Sequence, residues 1–418
     1  MRPEIDLGPL GLDRGAHVAL RHALAAMGAG EPLVVRGRAP DLATQLRVFC
    51  RTEGHTWEPA EPGAEAGTGA GTRAGGAGGA GADIAGVIVR GSAVDARFRG
   101  AVRGGAADLS QAGAVVESPD PRWGLAARGA AVEAGGPAFA FPLATKSEVW
   151  ADEAARLYQQ AAAAQWDPRA ALPWDEPATL PDEIEDAVVQ IMTYLVENEM
   201  AALVVPARFA SQIHPHFREV VQLLAIQAAD EARHVEVFTR RALLRRAAPA
   251  LSTVGGQVSL KTLVDEPDFA TASFLLSVLG EGSFLSLLWF LHEHAPDGLT
   301  REIARLTAQD EARHVAFGLA HLERHARHDA TLLDRLAAAV ERRHDALRHT
   351  AGLNAEVLDA LVLLAAGSFE VGALARGHDA VVRLTGEMDE GRKKRLERLG
   401  FPAARAEALS ALHTRNFM

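Results

Sequence analysis

Before residue 91 the apolar positions cluster in short runs, and beyond residue 181 they recur at three- and four-residue intervals. Runs of the first kind suit short strands and helices, and the second kind suits long amphipathic helices. In the first segment the pattern predicts a helix over Ala16–Met27, a strand Leu33–Arg36, and a helix Leu42–Thr52 with Asp41 as its N-cap. A short strand at Thr56-Trp57 and another at Ile84–Arg90 follow. Between these two strands lies Gly63–Gly81, dominated by Gly and Ala and too poor in large apolar groups for a core, which reads as a loop. Its glycines are not followed by the Gly-Lys-Ser/Thr of a phosphate loop. Residues 92–180 form a connecting region, with a strand at Phe139–Phe141, a helix from Glu148 through Tyr158 to about Ala164, and an extended proline-rich stretch Trp166–Pro181.

Four long helices come next. The first, capped by Thr179, runs from Pro181 to about Val205 and stops at Pro206; the second runs from Pro215 to about Arg246. The third follows Asp265-Glu266-Pro267 and ends at Ala295-Pro296-Asp297-Gly298, and the fourth runs from Leu299 to about His325. Further helices are expected at roughly 330–349, 354–367 and 369–387, before a terminal stretch. The expected fold class is mainly α. A four-helix bundle over 181–325 carries a C-terminal helical extension over 326–418, behind a small α/β domain over 1–91.

Composition narrows the function classes. A formal charge of -11, with no stretch rich in Lys and Arg beyond the short run at Lys393-Lys394, argues against general nucleic-acid affinity. The single cysteine, Cys50, excludes an intrachain disulfide, a Cys-rich zinc module and a Cys-ligated iron–sulfur centre, and fits a reducing compartment. No secretory signal pattern opens the chain, and the most apolar run, Phe274–Leu291, carries Glu281 in its middle. A cytoplasmic protein with no membrane contact is expected.

The candidate chemistry lies in a phrase that appears twice, Asp230-Glu231-Ala232-Arg233-His234-Val235 and Asp310-Glu311-Ala312-Arg313-His314-Val315. Each copy holds Glu-x-x-His inside a helical pattern, and three residues at about 100° each bring carboxylate and imidazole to one face. A di-metal site in a helical bundle needs one Glu from each of two helices and a Glu-x-x-His from each of the other two. The repeated phrase supplies the second and fourth helices. On the third helix the donor is Glu281, which interrupts an apolar stripe of Phe274, Leu275, Val278, Phe284, Leu285 and Leu288, where an unpaired carboxylate would be costly. The first helix offers Glu197 and Glu199. Glu199 continues the stripe of Val188, Ile191, Met192 and Leu195, whereas Glu197 follows Gln190, Thr193 and Tyr194, so Glu199 is preferred. The bland alternative is two solvated helix faces whose Glu and His happen to recur.

These residues resemble the ferritin-like di-iron carboxylate superfamily, and the Asp-Glu-x-Arg-His form of both motifs is closest to its oxygenase and oxidase branch. The resemblance covers roughly Pro181–His325. It implies that Glu231, His234, Glu311 and His314 ligate two metals and that Glu199 and Glu281 complete the set. It further implies that Asp230 and Asp310 hold the ligand histidines, with Arg233 and Arg313 pairing with these aspartates; a carboxylate on the distal N–H fixes a ligating imidazole's orientation. Four carboxylates and two imidazoles favour two iron ions, and manganese or a mixed iron–manganese pair fits the same donors. The implied activity is an O2-dependent oxidase or oxygenase acting on a small organic substrate, with an external electron donor because no flavin or iron–sulfur motif is visible. A non-catalytic metal-binding or sensing role, peroxide removal, and a homodimer remain open.

Departures from the superfamily's branches narrow the reading. Phe238 stands where the ribonucleotide reductase small subunit has its radical tyrosine, and the only tyrosines are Tyr158 and Tyr194. Thr307 stands where arylamine N-oxygenases have a third histidine, and the Cys-rich iron module of rubrerythrins is absent. Gly280 and Gly282 beside Glu281 suggest a local bulge or a cavity, to which Gly318 is a further candidate, bounded by Phe238, Phe274, Phe284 and Trp289. His214, His216, His292 and His294 read as residues of helix ends rather than ligands. The N-terminal unit resembles the small sulfur-carrier proteins, but Leu12-Asp13-Arg14-Gly15 stands where they carry a Cys-Pro motif and Cys50 lies inside the second helix. A docking or regulatory unit is expected there.

Overall fold

Leu33 and Val35 point inward from one strand, and this period of two builds the smaller of two compact units. The computed structural model describes residues 2–60, 84–93, 95, 100–175, 179–347 and 355–414. Met1–Arg103 with Ala131–Gly136 form one unit, and Gly104–Ala130 with Pro137–Met418 form the other.

In the first unit, β1 (Glu4–Asp6), α1 (Ala16–Ala25), β2 (Pro32–Arg36), α2 (Leu42–Glu53), β3 (Thr56–Pro59) and β4 (Ile84–Val89) follow in order. The sheet runs β1-β2-β4-β3, with β1 and β2 parallel and the other pairs antiparallel. Leu20 and Leu24 of α1 and Leu46 and Phe49 of α2 pack with Leu33, Val35 and Ile88 in one core. Strand β1 was not anticipated, because three residues beside Pro3 give too little alternation to read. Asp41 does not cap α2 through its side chain; it sits in the left-handed region at φ 57°. Cys50 lies in the core, and burial pushes its thiol up to about 11, an unreactive structural group. A short antiparallel pair, β5 (Val102–Arg103) and β6 (Ala131–Val132), completes this unit, and the Gly/Ala tract 63–81 lies outside the described residues.

The second unit is helical. The helix expected from Glu148 is two helices, α3 (Lys146–Val149) and α4 (Ala154–Ala163), parted by extended backbone at Trp150, whose indole N–H donates to Asp152 Oδ1 at 2.9 Å. Phe139–Phe141 is not a strand; the two rings stack at 6.3 Å, and the Phe139 N–H donates to the Pro121 carbonyl. The bundle helices are α5 (Asp182–Ala210), α6 (Arg218–Ala242), α8 (Phe269–His294) and α9 (Gly298–His328), with α7 (Val254–Val264) between the two pairs.

Thr179 does not cap α5, which starts after Pro181 without a side-chain cap. Nor does Pro206 end it: the helix runs four residues further, and burial of Val205, Pro206 and Phe209 offsets the hydrogen bond that proline cannot donate. Helix α7 was missed although Thr253 caps it by accepting from Gly256 N at 3.0 Å. Asp268 and Asp297 cap α8 and α9 in the same way. Helices α10 (Leu332–Leu347), α11 (Ala355–Ala366), α12 (Val371–Leu399) and α13 (Ala403–Thr414) follow.

Two apolar clusters fill the bundle, and a polar layer divides them. Along α5 one cluster takes Ile184–Leu195 and the other Ala201–Phe209, with Glu199 between; along α9 they take Leu299–Ala308 and Val315–Leu322, with Glu311 and His314 between. On α6 and α8 the order is reversed, and Glu231, His234 and Glu281 fall in the same gap. So α5 and α9 run one way and α6 and α8 the other, which makes the α6-to-α8 link, carried through α7, a crossover. One long crossover is the topology of ferritin-like bundles. Among the described residues two helices, Asp182–Ala210 and Phe269–His294, are long and apolar enough to cross a membrane by length and composition alone, although each carries buried carboxylates, Glu199 in the first and Glu281 in the second. Their most apolar windows are 61% and 78% buried within the fold.

Candidate metal centre

Each of the six expected ligands reaches the polar layer from its helix face. Glu199 comes from α5, Glu231 and His234 from α6, Glu281 from α8, and Glu311 and His314 from α9; all are buried. Glu197 is directed elsewhere, toward Gly256 of α7. The six form two overlapping groups, Glu199–Glu231–His234–Glu311 and Glu231–Glu281–Glu311–His314, in each of which one ligand atom per residue lies within 4.8 Å of the others. Glu231 and Glu311 are common to both, the placement expected of residues that bridge two ions. The arrangement is that of the ferritin-like di-metal carboxylate bundles.

Each imidazole turns Nδ1 to the carboxylates and Nε2 away from them. His234 Nδ1 lies 3.2 Å from Glu231, 3.4 Å from Glu311 and 3.5 Å from Glu199. His314 Nδ1 lies 2.9 Å from Glu231 Oε1, 3.4 Å from Glu311 and 4.0 Å from Glu281. The aspartates serve the opposite copy of the motif: His234 Nε2 is 3.2 Å from Asp310 Oδ2, and His314 Nε2 is 3.3 Å from Asp230 Oδ2. An Nε2–H donated to an aspartate leaves the Nδ1 lone pair for a metal.

The residues fit a metal pair on a direct test. Glu199 Oε1, Glu231 Oε1, Glu281 Oε2, both oxygens of Glu311 and His314 Nδ1 are buried without a hydrogen-bond partner among the described residues, and the 2.9 Å approach of His314 to Glu231 is not aligned as a hydrogen bond. Orphaned acceptors of this number are costly in a protein interior unless a cation satisfies them. Without that cation protons take its place. Burial, then the Glu231 charge, pushes Glu199 up to about 8, and burial with the Glu311 charge holds Glu281 well above the usual carboxyl range. Burial opposes charge on both histidines, yet the surrounding carboxylates hold them protonated well above 6.5.

The aspartates stay ionised. Burial would raise Asp310, but bonds from His234, Arg233 and Trp166 more than offset it, and His314 and Gln165 do the same for Asp230. Arg233 Nη2 donates to Asp230 Oδ1 at 2.6 Å and to Asp310 Oδ2 at 2.9 Å, and Arg313 donates to Asp310 Oδ1. Three residues of this network were not picked out from the sequence. Gln165 joins Asp230 at 2.6 Å and Arg233 at 2.7 Å, the Trp166 indole donates to Asp310 at 2.8 Å, and Gln227 donates to Glu281 Oε1 at 3.1 Å. Gln227 stands one turn before Glu231 on the same face, a signal in hindsight; Gln165 and Trp166 sit at a helix end and a connector, with no periodic signal.

Residues 274–281 of α8 form π-helical turns, so the backbone does bulge beside Glu281. A cavity of about 30 Å³ adjoins Glu199, Glu281 and Glu311, lined also by Gly280 and Phe284, enough for one or two waters. Phe238, Phe274, Trp289 and Gly318 do not line it. Trp289 is half exposed, and Gly318 lets α9 approach α8, since a Cβ there would meet Ser277 Cβ at 2.5 Å. Phe238 lies beside His234, Tyr194 stacks on Phe284, and Thr307 is buried on α9 with its hydroxyl unpartnered among the described residues. His214 and His216 are buried acceptors, for His216 N and Val116 N, and His292 bonds the Arg301 carbonyl. None of these three, nor His294, is in a metal-binding group among the described residues.

No protein-family profile matches the chain, and no curated protein matches it. Among solved structures it is similar to a point mutant of an R2-like ligand-binding oxidase with an aerobically reconstituted Mn/Fe cofactor. That match has 17% identity, covers 59% of this chain and 93% of the other, and has a TM-score of 0.46. A second mutant of such an oxidase, with an Fe/Fe cofactor, matches at 18% identity over 59% of this chain and 92% of its own, with a TM-score of 0.43. The R2-like ligand-binding oxidase from Sulfolobus acidocaldarius matches at 17% identity over 59% and 93%, with a TM-score of 0.39.

Proposed function

We propose that this protein is a di-metal oxidase or oxygenase that uses O2 to oxidise a small organic substrate at the centre formed by Glu199, Glu231, His234, Glu281, Glu311 and His314. The observation that carries the reading is the pair of overlapping donor groups, buried in an otherwise apolar bundle with their oxygens unsatisfied. Such a centre has little use but to hold two ions. Glu231 and Glu311, common to both donor groups, would be shared by the two ions, Glu199 and His234 would hold one of them, and Glu281 and His314 would hold the other. Oxygen-rich donors with two imidazoles suit iron and manganese, the metals named for the similar oxidases. When bound, a pair of this kind supplies two electrons to O2.

The chain's own residues do the rest. Asp230 and Asp310 orient the imidazoles, and their pairing with Arg233 and Arg313 keeps them ionised so that they accept the Nε2 protons. The apolar clusters on either side exclude water, and the cavity beside Glu199, Glu281 and Glu311 gives O2 a place next to the ions. Electrons come from an external donor, and a reducing cytoplasmic setting suits the lone buried thiol.

The test is stopped-flow mixing of reduced, iron- or manganese-loaded protein with O2. Reoxidation within seconds supports the reading. Stoichiometric metal that O2 leaves reduced overturns it in favour of storage or sensing, and reoxidation by peroxide alone favours peroxide removal. Glu231→Ala combined with Glu311→Ala is expected to abolish binding of both ions, measured as metal per chain.

A further inference from the structure

Beyond the metal centre, one face of α9 stays polar where its surroundings are apolar. His314, Gly318, His321 and His325 recur at intervals of three and four residues, which puts them on one side of the helix. On α8, running the other way, Ser273, Ser277 and Glu281 recur at intervals of four and are all buried. The two stripes face each other. A Cβ on Gly318 would lie 2.5 Å from Ser277 Cβ and 3.7 Å from Ser273 Oγ, and His321 packs on Phe269 with ring centroids 4.8 Å apart. Together they make a polar seam through an apolar cluster, roughly 16 Å long from His314 to His325 at about 1.5 Å of rise per residue.

The seam holds more hydrogen-bonding capacity than it uses. Both ring nitrogens of His321 and Nδ1 of His325 are buried with no hydrogen-bond partner among the described residues. Orphaned nitrogens in an interior are costly unless water meets them. The two ring centroids stand 6.2 Å apart, beyond a direct N–H···N bond, which needs about 5 Å, and within reach of one bridging water. Nearer the centre, a cavity of about 10 Å³, room for one water, is lined by Ser273, Ser277 and Gln227. Phe269 and Phe317, the rings that hold His321, form part of its apolar wall. Ser277 is in turn a hydrogen-bonding neighbour of Glu281, and Gln227 donates to Glu281 Oε1.

At its outer end the seam reaches the surface. His325 Nε2 lies 3.8 Å from the partly exposed Asp329, and the other charged groups facing this ring are Arg335 of α10, Glu148 of α3 and Asp268 before α8. The charge acting on His321 is that of His325. Burial lowers both rings, His321 to about 3, so both are neutral at pH 7. A neutral imidazole carries one N–H and one lone pair, so it takes a proton on one nitrogen and gives one up from the other.

We propose that this seam conducts protons from solvent at Asp329 through His325, His321 and the water site between Ser273 and Ser277 to the metal centre. The inference rests on the reading of the protein as an O2-using oxidase or oxygenase and adds where its protons enter. Reduction of O2 with electrons from the external donor consumes protons, O2 + 4 e− + 4 H+ giving 2 H2O. Insertion of one oxygen atom does so too, RH + O2 + 2 e− + 2 H+ giving ROH + H2O. The apolar clusters that keep water from the centre also keep protons from it, so the reaction needs a built path. Gly318 adds no apolar side chain to that path.

The experiment mixes full-length, reduced, metal-loaded protein with O2 and follows reoxidation between pH 6 and 8 in H2O and in D2O. His321→Leu and Ser277→Ala are expected to retain two metals per chain and to slow reoxidation about tenfold or more. The slowed rate is expected to rise as pH falls and to show a larger solvent isotope effect than wild type, because proton supply has become limiting. A high-resolution crystal structure is expected to show one water between the His321 and His325 rings and another on Ser273 and Ser277.

An unchanged rate in both variants overturns the proposal, and so does a seam without water. A slowed rate indifferent to pH and to D2O also overturns it, as the mark of a packing defect. If His321→Leu fails to fold, Ser277→Ala and His325→Leu decide by the same criteria. Wild type that O2 leaves reduced overturns the oxidase reading and this inference with it, whereas reoxidation that no variant disturbs overturns this inference alone.

Discussion

Asp230 and Asp310 decide which nitrogen of each histidine faces the carboxylates, and the choice is worth affinity. Removing Asp310 by Asp310→Ala frees His234 Nε2, leaves the Trp166 indole without its acceptor, and takes from Arg233 one of the two aspartates it pairs with. Metal affinity is expected to fall 10- to 100-fold, read by competition with a chelator. Glu281 was legible in the sequence because a carboxylate inside an apolar stripe needs a cation, and Glu199 because it continued such a stripe. Gln165 and Trp166 were not, since only the path of the chain back over the bundle brings them to the aspartates. A different set of residues governs behaviour in acid. Burial lowers His216 to about 4 and His321 to about 3, and it also lowers His214, His325 and His413. Their unfolded value is near 6.5, so below it the unfolded chain binds more protons and stability falls as pH drops. At pH 5 one such histidine costs about 2 kcal/mol relative to pH 7. Urea midpoints at the two values are expected to show the loss, and His321→Leu to narrow it by about that amount.

At the scale of elements, the π turns of α8 and the close crossing of α9 belong together. Gly318 lies against Ser277 inside the π segment, where an added methyl has 2.5 Å to Ser277 Cβ. Gly318→Ala is expected to destabilise the protein by about 1–3 kcal/mol in chemical denaturation, as overpacking does. The flanking glycines announced an irregularity beside Glu281. They do not say on which side, and Gly318 reads as space in the sequence although it is contact in the fold, because a sequence does not distinguish a glycine that leaves room from one that a neighbour fills. Helix α12 shows the reverse failure. Met388, Arg392, Leu396 and Leu399 are buried at helical spacing, but an arginine bonded to Ser410 takes one place in the stripe, so the apolar period breaks and the helix was ended near residue 387. Similarly, Pro206 stops a helix on local rules and is overruled by the packing of its neighbours.

At the scale of the molecule, metal loading is expected to be linked to folding of the helical unit, since five of the six candidate ligands, Glu199, Glu231, Glu281, Glu311 and His314, hold buried atoms with no hydrogen-bond partner among the described residues in the gap between two apolar clusters. Calorimetry is expected to show two transitions, of which only the larger rises with metal, by about 2.7 kcal/mol for each ion bound at a hundredfold excess of free ion over its Kd. A single transition, or a shift of both, would contradict this. The bundle itself was legible as four amphipathic helices with donors at matched positions, whereas its crossover became visible only from the order of the clusters along each helix. The exchange of aspartates between the repeated motifs has a further consequence. Although the two phrases read as duplicates, neither is a portable half-site, because the residue that orients each imidazole travels with the other copy. Grafting one phrase onto a foreign helix pair would transfer a carboxylate and a freely turning ring. In this chain, damage written in one repeat is reported at the imidazole of the other, so the two copies can change only as a couple.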